Sequence, residues 1–239
     1  MRRSTPLLAD ALCGLCVSSA ASAWKSPFLV YSLSVGHRIF ILSPAHCGGE
    51  RAQLVFNEGA QFPLARRLRS KEGAPLGDVF AFLSGLYFRG KLAYAQAFAA
   101  PPPGVPGVVV ITTNEGLRGP SFPLTIARLR RYARGDIDLR DARYRRPLQR
   151  DAKILAAAAG PDCEVVLLGS VATGKYVDLL LKVFGPALRF PAEFAGRGDM
   201  SRGGLMLRCV DAGRELEYVG LEGGAPRHGP RPPRLAPRA

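Results

Sequence analysis

Three short apolar runs constrain this chain more than anything else in it: Ile39-Phe40-Ile41-Leu42, Val108-Val109-Val110-Ile111 and the stretch Glu164 to Leu168. None alternates apolar with polar residues, so each reads as a strand buried on both faces. Such strands need helices on both sides of a sheet, and the intervening sequence supplies them. A helix is expected from Gly48-Gly49-Glu50 to about Phe56. A longer one opens at Pro75, carries Val79, Phe82, Leu83 and Leu86 at helical spacing, and runs past Gly85 to Phe98, where Pro101-Pro102-Pro103 stops it. Thr125 to Ala133 reads as a short helix. Pro147 to Ala159 carries the strongest helical signature, with proline in its first turn, Gly160 beyond its end, and Leu148, Ala152, Leu155 and Ala159 on one face. A turn from Gly169 to Gly174 leads into a helix ending near Phe184, and a short strand follows at Leu188 to Phe190. Leu205 to Val210 and Leu216 to Leu221, joined at Asp211 to Gly213, read as a closing hairpin. The expected fold class is α/β: a Rossmann-like three-layer domain with a mostly parallel sheet and a C-terminal β-hairpin.

A chain of 239 residues fits one sizeable core. Residues 38–222 read as that α/β domain, 1–37 as a poorly ordered leader and 223–239 as a disordered Arg/Pro-rich tail. Met1-Arg2-Arg3 ahead of Ala11 to Ala23 has the outline of a secretory signal, with Ala21-Ser22-Ala23 as a cleavage site. Asp10, Cys13, Ser18 and Ser19 dilute its apolar run, so an upstream start or a leader is preferred. Nothing approaches the roughly 18–20 uninterrupted apolar residues of a spanning helix, and no membrane partner is expected. Five cysteines at irregular spacing do not describe a disulfide framework, which favours a reducing cytoplasm with Cys163 and Cys209 as buried thiols. Cys13-Gly14-Leu15-Cys16 lacks the second ligand pair of a structural zinc site, and Asp136, Asp138 and Asp141 lack calcium-loop spacing, so no metal is expected. Of the net charge of +14, the tail from Pro226 holds +4 and the first 38 residues +3, leaving +7 on the body. Arginine dominates over six lysines, as in a GC-rich bacterial genome, and the remaining excess points to an anionic partner.

In a sheet covered on both faces, ligands bind in loops beyond the carboxyl ends of the parallel strands. The loops after Leu42, Ile111 and Leu168 qualify. The third carries the most specific motif, Gly169-Ser170-Val171-Ala172-Thr173-Gly174-Lys175-Tyr176, with the spacing of a phosphate loop between strand and helix. Tyr176 stands where Ser or Thr would bind magnesium, which argues against an NTPase and leaves a looser phosphate or carboxylate site. The run Gly196 to Gly204 reads as a flexible charged loop in which Arg197 and Arg202 clamp an anion while Asp199 and Ser201 orient a polar group. The expected ligand set is Gly169, Ser170, Thr173, Gly174, Lys175, Arg197, Asp199, Ser201 and Arg202, with no cofactor assigned. Cys47, beside a helix start and next to His46, has the surroundings of a nucleophile but no orienting acid.

Aromatic and basic residues interleave at Tyr87-Phe88-Arg89-Gly90-Lys91, at Arg128 to Arg134 and at Arg143-Tyr144-Arg145-Arg146. Stacking plus phosphate neutralisation holds single strands without sequence preference, so a nucleic-acid module using Arg89, Lys91, Arg131, Tyr132 and Arg145 is the alternative. The helix Leu83 to Ala95, the strand and turn Val108 to Leu117 and the unit Val165 to Leu180 together resemble an uncharacterised bacterial and phage α/β domain family. That resemblance implies a layered fold and a link to nucleobase or nucleic-acid modification, and it assigns no catalytic residues. The leading reading is a protein binding a small anionic, nucleotide-like ligand; if it is an enzyme, it is a transferase or hydrolase acting on nucleotides or nucleobases.

Overall fold

The structure, a computed structural model, describes residues 36–172, 174–221, 229, 230, 232, 233 and 235. The leader before residue 36 with Cys13 and Cys16, Thr173, and most of the Arg/Pro tail lie outside the described residues.

Each of the three apolar runs is a strand: β1 (Arg38–Leu42), β3 (Val108–Ile111) and β6 (Glu164–Leu168), numbered with β2 (Ala74–Pro75), β4 (Leu117–Arg118), β5 (Pro123–Leu124), β7 (Leu188–Pro191) and β8 (Tyr218–Gly220). The main sheet has the order β4-β3-β1-β6-β7-β8, and β2 and β5 form a separate pair. β1 runs parallel to β3 and β6, and β6 parallel to β7, while β4 and β8 join antiparallel at the two edges. This is an α/β architecture with a mostly parallel, six-stranded mixed sheet.

Alternate residues of the central strands face two cores. Phe40, Leu42, Val110, Val166 and Leu168 pack with the helices α1 (Glu50–Phe56), α2 (Pro63–Arg69), α3 (Leu76–Ser84), α4 (Leu86–Phe98), α5 (Ile126–Ala133) and α8 (Asp199–Asp211). Ile39, Ile41, Val109, Ile111, Val165 and Leu167 pack with α6 (Ala142–Ala159) and α7 (Val177–Phe184). Helices therefore cover both faces, which is why the strand sequences do not alternate.

Four local features depart from expectation. The region after Pro75 is two helices, because Gly85 takes φ +59° and turns the chain between α3 and α4. α6 begins five residues before Pro147, because the Asp141 carboxylate accepts from the backbone N–H of Arg143 and caps an earlier start. α7 begins only at Val177, after Tyr176. There is no hairpin from residues 205 to 221. Leu205 to Val210 belong to α8, whose buried positions Arg202, Gly203, Met206 and Cys209 repeat at helical spacing. β8 pairs instead with β7, two elements back in the chain.

α8 lies tightly against α4. A Cβ on Gly203 would sit 2.7 Å from the Leu86 carbonyl oxygen and 2.8 Å from Tyr87 Cα, and one on Gly90 would sit 2.6 Å from the Gly203 oxygen. Only glycine at both positions allows the two backbones to approach this closely. Tyr94 ties α4 to the β8 side of the sheet: its hydroxyl lies 2.6 Å from that of Tyr218 and accepts from the Leu216 N–H at 2.8 Å.

Candidate functional site

β1 and β6 are adjacent and parallel, yet the chain leaves β1 toward one helical layer and β6 toward the other. A crevice at the carboxyl ends follows from such a reversal. The loops after β1, β3 and β6 do converge there, around a cleft of about 230 Å³. Its walls are Ala45 to Gly48 after β1, Thr113 after β3, the segment from Gly135 to Ile137 after α5, and Lys175 after β6. Thr113 Oγ1 donates to the Tyr132 carbonyl at 3.0 Å and fixes the loop after β3 to α5. A second hollow of about 170 Å³ shares Thr113 and Gly135 with the first and adds Asn114, Arg131, Arg134, Asp141 and Arg143.

The charge of these two spaces is positive on balance. Glu115 is saturated by Arg128 at 2.9 Å, Arg131 at 3.3 Å and the Tyr132 hydroxyl at 2.8 Å. Asp141 is held by Arg143 at 2.8 Å, which keeps its carboxyl below the usual range. Asp136 lines the first cleft as an opposing charge. Among the described residues neither Lys175 nor Arg134 enters an ion pair, so both are open to an anion.

A buried polar cluster adjoins this cleft. Ser43, two residues before Ala45, receives the Lys91 Nζ on its carbonyl oxygen at 2.6 Å and on its hydroxyl at 2.8 Å. The Tyr176 hydroxyl, carried by the residue next to Lys175, lies near the Ser43 side chain, which eases the raised pKa that burial gives the phenol. Gly169 is required here, since a Cβ would lie 2.8 Å from both Ser43 Cβ and the Tyr176 hydroxyl. Lys91 is fully buried against the rings of Tyr87 and Phe88, and burial lowers its pKa to about 7. Asp199 favours its charged form and Arg202 opposes it. The Tyr87 hydroxyl is buried without a hydrogen-bond partner; Arg202 is near enough to favour its phenolate but does not reach bonding geometry.

The expected ligand residues divide between these places. Gly169 lies beside the Ser43 cluster, and the Ser170 backbone is close enough to Tyr176 to ease its raised pKa. Lys175 lines the cleft. Gly174 packs on Asp178. The helix begins at Val177, two residues beyond Lys175, later than the spacing of a phosphate loop predicts. The charged run from Gly196 is not a loop throughout, because α8 starts at Asp199. Arg202 is helical and 9% exposed, giving both Nε and Nη2 to the Phe194 carbonyl. Its pair with Asp199 spans 3.5 Å. Arg197 donates to Ser201 Oγ at 3.0 Å, and both line a separate hollow of about 570 Å³ with Asp199, Met200, Pro232 and Leu235.

Of the alternative nucleic-acid set, Lys91 and Tyr132 are core residues with 0% and 1% exposure, because their helices turn these positions onto the sheet. Arg145 gives its guanidinium to the Leu139 carbonyl at 2.7 Å, Arg131 donates to Glu115 at 3.3 Å, and Arg89 is exposed. Cys47 is buried, which pushes its thiol up to about 12, and it donates to the Ala45 carbonyl, surroundings that disfavour a thiolate. Among the described residues no group of metal-ligating side chains occurs, and no helix is long and apolar enough to cross a membrane. No family model, curated protein or solved structure matches the chain.

Proposed function

We propose that this protein binds a small anionic, nucleotide-like ligand in the cleft at the carboxyl ends of β1, β3 and β6. The observation that carries this reading is the convergence of three strand-end loops on one space, with Lys175 there and Arg134 in the adjoining hollow in no ion pair among the described residues. Lys175 and Arg134 neutralise the anion, Thr113 and the Gly48 backbone border it, and His46 sits at its rim. On this reading the domain is used in the Rossmann-like manner, with the ligand at the crevice where the chain reverses. The resemblance to a bacterial and phage family linked to nucleobase chemistry points to the same ligand class, with transfer or hydrolysis as the reaction. The free, buried thiols Cys47, Cys163 and Cys209 accord with a reducing cytoplasm.

The test is thermal unfolding of the full chain with inorganic phosphate, nucleoside mono- and diphosphates, nucleosides and short oligonucleotides. A ligand at a hundred times its Kd adds about 2.7 kcal/mol to stability. A rise in midpoint with a phosphorylated ligand, lost in Lys175→Ala and Arg134→Ala, is the expected result. A rise with oligonucleotides alone, falling steeply with salt, would instead establish a nucleic-acid surface and refute the cleft.

A further inference from the structure

We infer that Ser43 is the nucleophile, and Lys91 the base, of an acyl-transfer centre acting on an ester or amide that carries an anionic group. Four observations place this chemistry here. The Ser43 hydroxyl and Lys91 Nζ are 2.8 Å apart, within the reach of a direct proton transfer. The pair lies at the carboxyl end of β1 beside β6, the edge where α/β sheets bind ligands. Ser43 keeps 6% of its surface exposed whereas Lys91 keeps none, so of the pair only Ser43 reaches the surface. Burial brings the amine to a pKa of about 7, where its neutral form is available to accept a proton near neutral pH.

The groups facing Lys91 come from three directions. Tyr87 and Phe88 belong to its own helix, Ser43 to the loop after β1, and Asp199 and Arg202 to α8. Asp199 is the one carboxylate in this set; its side chain is 66% exposed, and it already meets Arg202 at 3.5 Å. Among the described residues the amine therefore has no buried carboxylate to hold it charged. The Tyr176 hydroxyl, from the loop after β6, approaches Ser43 beside Gly169.

The step balances with the residues present and water. As Ser43 Oγ bonds to the acyl carbon, its proton passes to Lys91 Nζ. The tetrahedral intermediate then expels the alcohol or amine, which takes that proton from Lys91 as its bond to carbon breaks. Water attacks the acyl-Ser43 ester, giving its proton through Lys91 to the departing Ser43 oxygen and releasing a carboxylic acid. An uncharged carbonyl carbon suits a neutral amine base, because the incoming oxygen meets none of the charge repulsion that a phosphate presents. The anionic group of the substrate rests on the reading of the neighbouring cleft; the Ser43–Lys91 pair does not depend on it.

The test is covalent labelling of the full chain by a fluorophosphonate, with the site found by peptide mass spectrometry. The expected result is a single adduct on Ser43 whose rate rises with pH to half its maximum near 7. Ser43→Ala should abolish it, and Lys91→Met should slow it at least tenfold while the protein stays folded by circular dichroism. Absence of an adduct on folded protein, or a rate unchanged in folded Lys91→Met, overturns the assignment. Ser43→Cys supplies a second handle that leaves Lys91 in place. Its new thiol should react with iodoacetamide at neutral pH while Cys47, Cys163 and Cys209 stay unmodified; an unreactive thiol at 43 shows the position closed and also overturns the assignment. Inorganic phosphate and Lys175→Ala separate the two proposals. Labelling that persists without any phosphate-induced thermal shift supports the Ser43–Lys91 centre and removes the anion cleft.

Discussion

Gly203 and Gly204 are neighbours in α8, and alanine at the two positions should change stability in opposite directions. At Gly203 the added methyl meets backbone on α4, 2.7 Å from the Leu86 oxygen and 2.8 Å from Tyr87 Cα. Comfortable carbon contacts lie near 3.5–4.0 Å, so the two helices must part by roughly 1 Å. Overpacking of this kind costs about 1–3 kcal/mol, against a helix-propensity gain of about 0.8–1 kcal/mol for alanine over glycine. The net loss, up to about 2 kcal/mol, lowers the midpoint by up to roughly 8 °C in a domain of this size. At Gly204 the nearest atom is the tip of Leu235 at 3.5 Å, an ordinary contact. There the propensity gain stands alone, and the midpoint should rise by roughly 2–4 °C. Scanning calorimetry on both variants, with urea unfolding as a check, reads the difference. Shifts of the same sign and size would refute the claim that a glycine-mediated backbone contact joins α4 to α8.

Tyr94→Phe should cost about 1–3 kcal/mol by urea unfolding, since it strands the buried Leu216 N–H that Tyr94 accepts at 2.8 Å; a loss below a few tenths would show water filling that place. Lys91 sets a pH dependence whose sign follows from its lowered pKa: from about pH 7 up toward the ordinary lysine value of 10.5, the unfolded chain binds a proton that the folded chain does not. Stability from this group therefore rises with pH in that window, by up to about 1.4 kcal/mol per unit, and is flat below it. Wild type minus Lys91→Met, compared at pH 6.5 and 8.5, should show that rise, and a flat difference would mean that Lys91 stays charged in the fold.

The central strands were legible because burial on both faces leaves an uninterrupted apolar run, a local property of Ile39 to Leu42, Val108 to Ile111 and Val165 to Leu168. Their parallel order, and with it the edge where loops after Leu42, Ile111 and Leu168 meet, followed from the helices between them. α8 was not legible. Gly203-Gly204 argues against a helix locally, and the reason for Gly203 lies in Leu86 and Tyr87, far away in sequence. Lys91 carried a signal that composition hid. It shares one helical stripe with Phe88, Tyr94 and Ala95, all buried, so a lysine at that phase had to be either neutralised or used. Reading it with its neighbours Arg89 and Tyr87 as a basic-aromatic surface cluster ignored that period.

The helix contact and the polar cluster are one arrangement. Gly90 precedes Lys91 and Gly203 follows Arg202, so the point where the two backbones touch also fixes the residues beside it. The close approach brings Arg202 and Asp199 into electrostatic reach of Lys91 and Tyr87 and keeps solvent from the amine. A wider crossing would let water reach Lys91, relieve its desolvation and return its pKa toward the ordinary lysine range. Gly203→Ala therefore does more than lower the midpoint. In protein that remains folded, it should move the half-maximum of Ser43 labelling to higher pH, an effect that a destabilised scaffold with an intact site would not produce. A midpoint shift without a change in that pH profile would mean that the crossing supports the fold but does not set the protonation of Lys91.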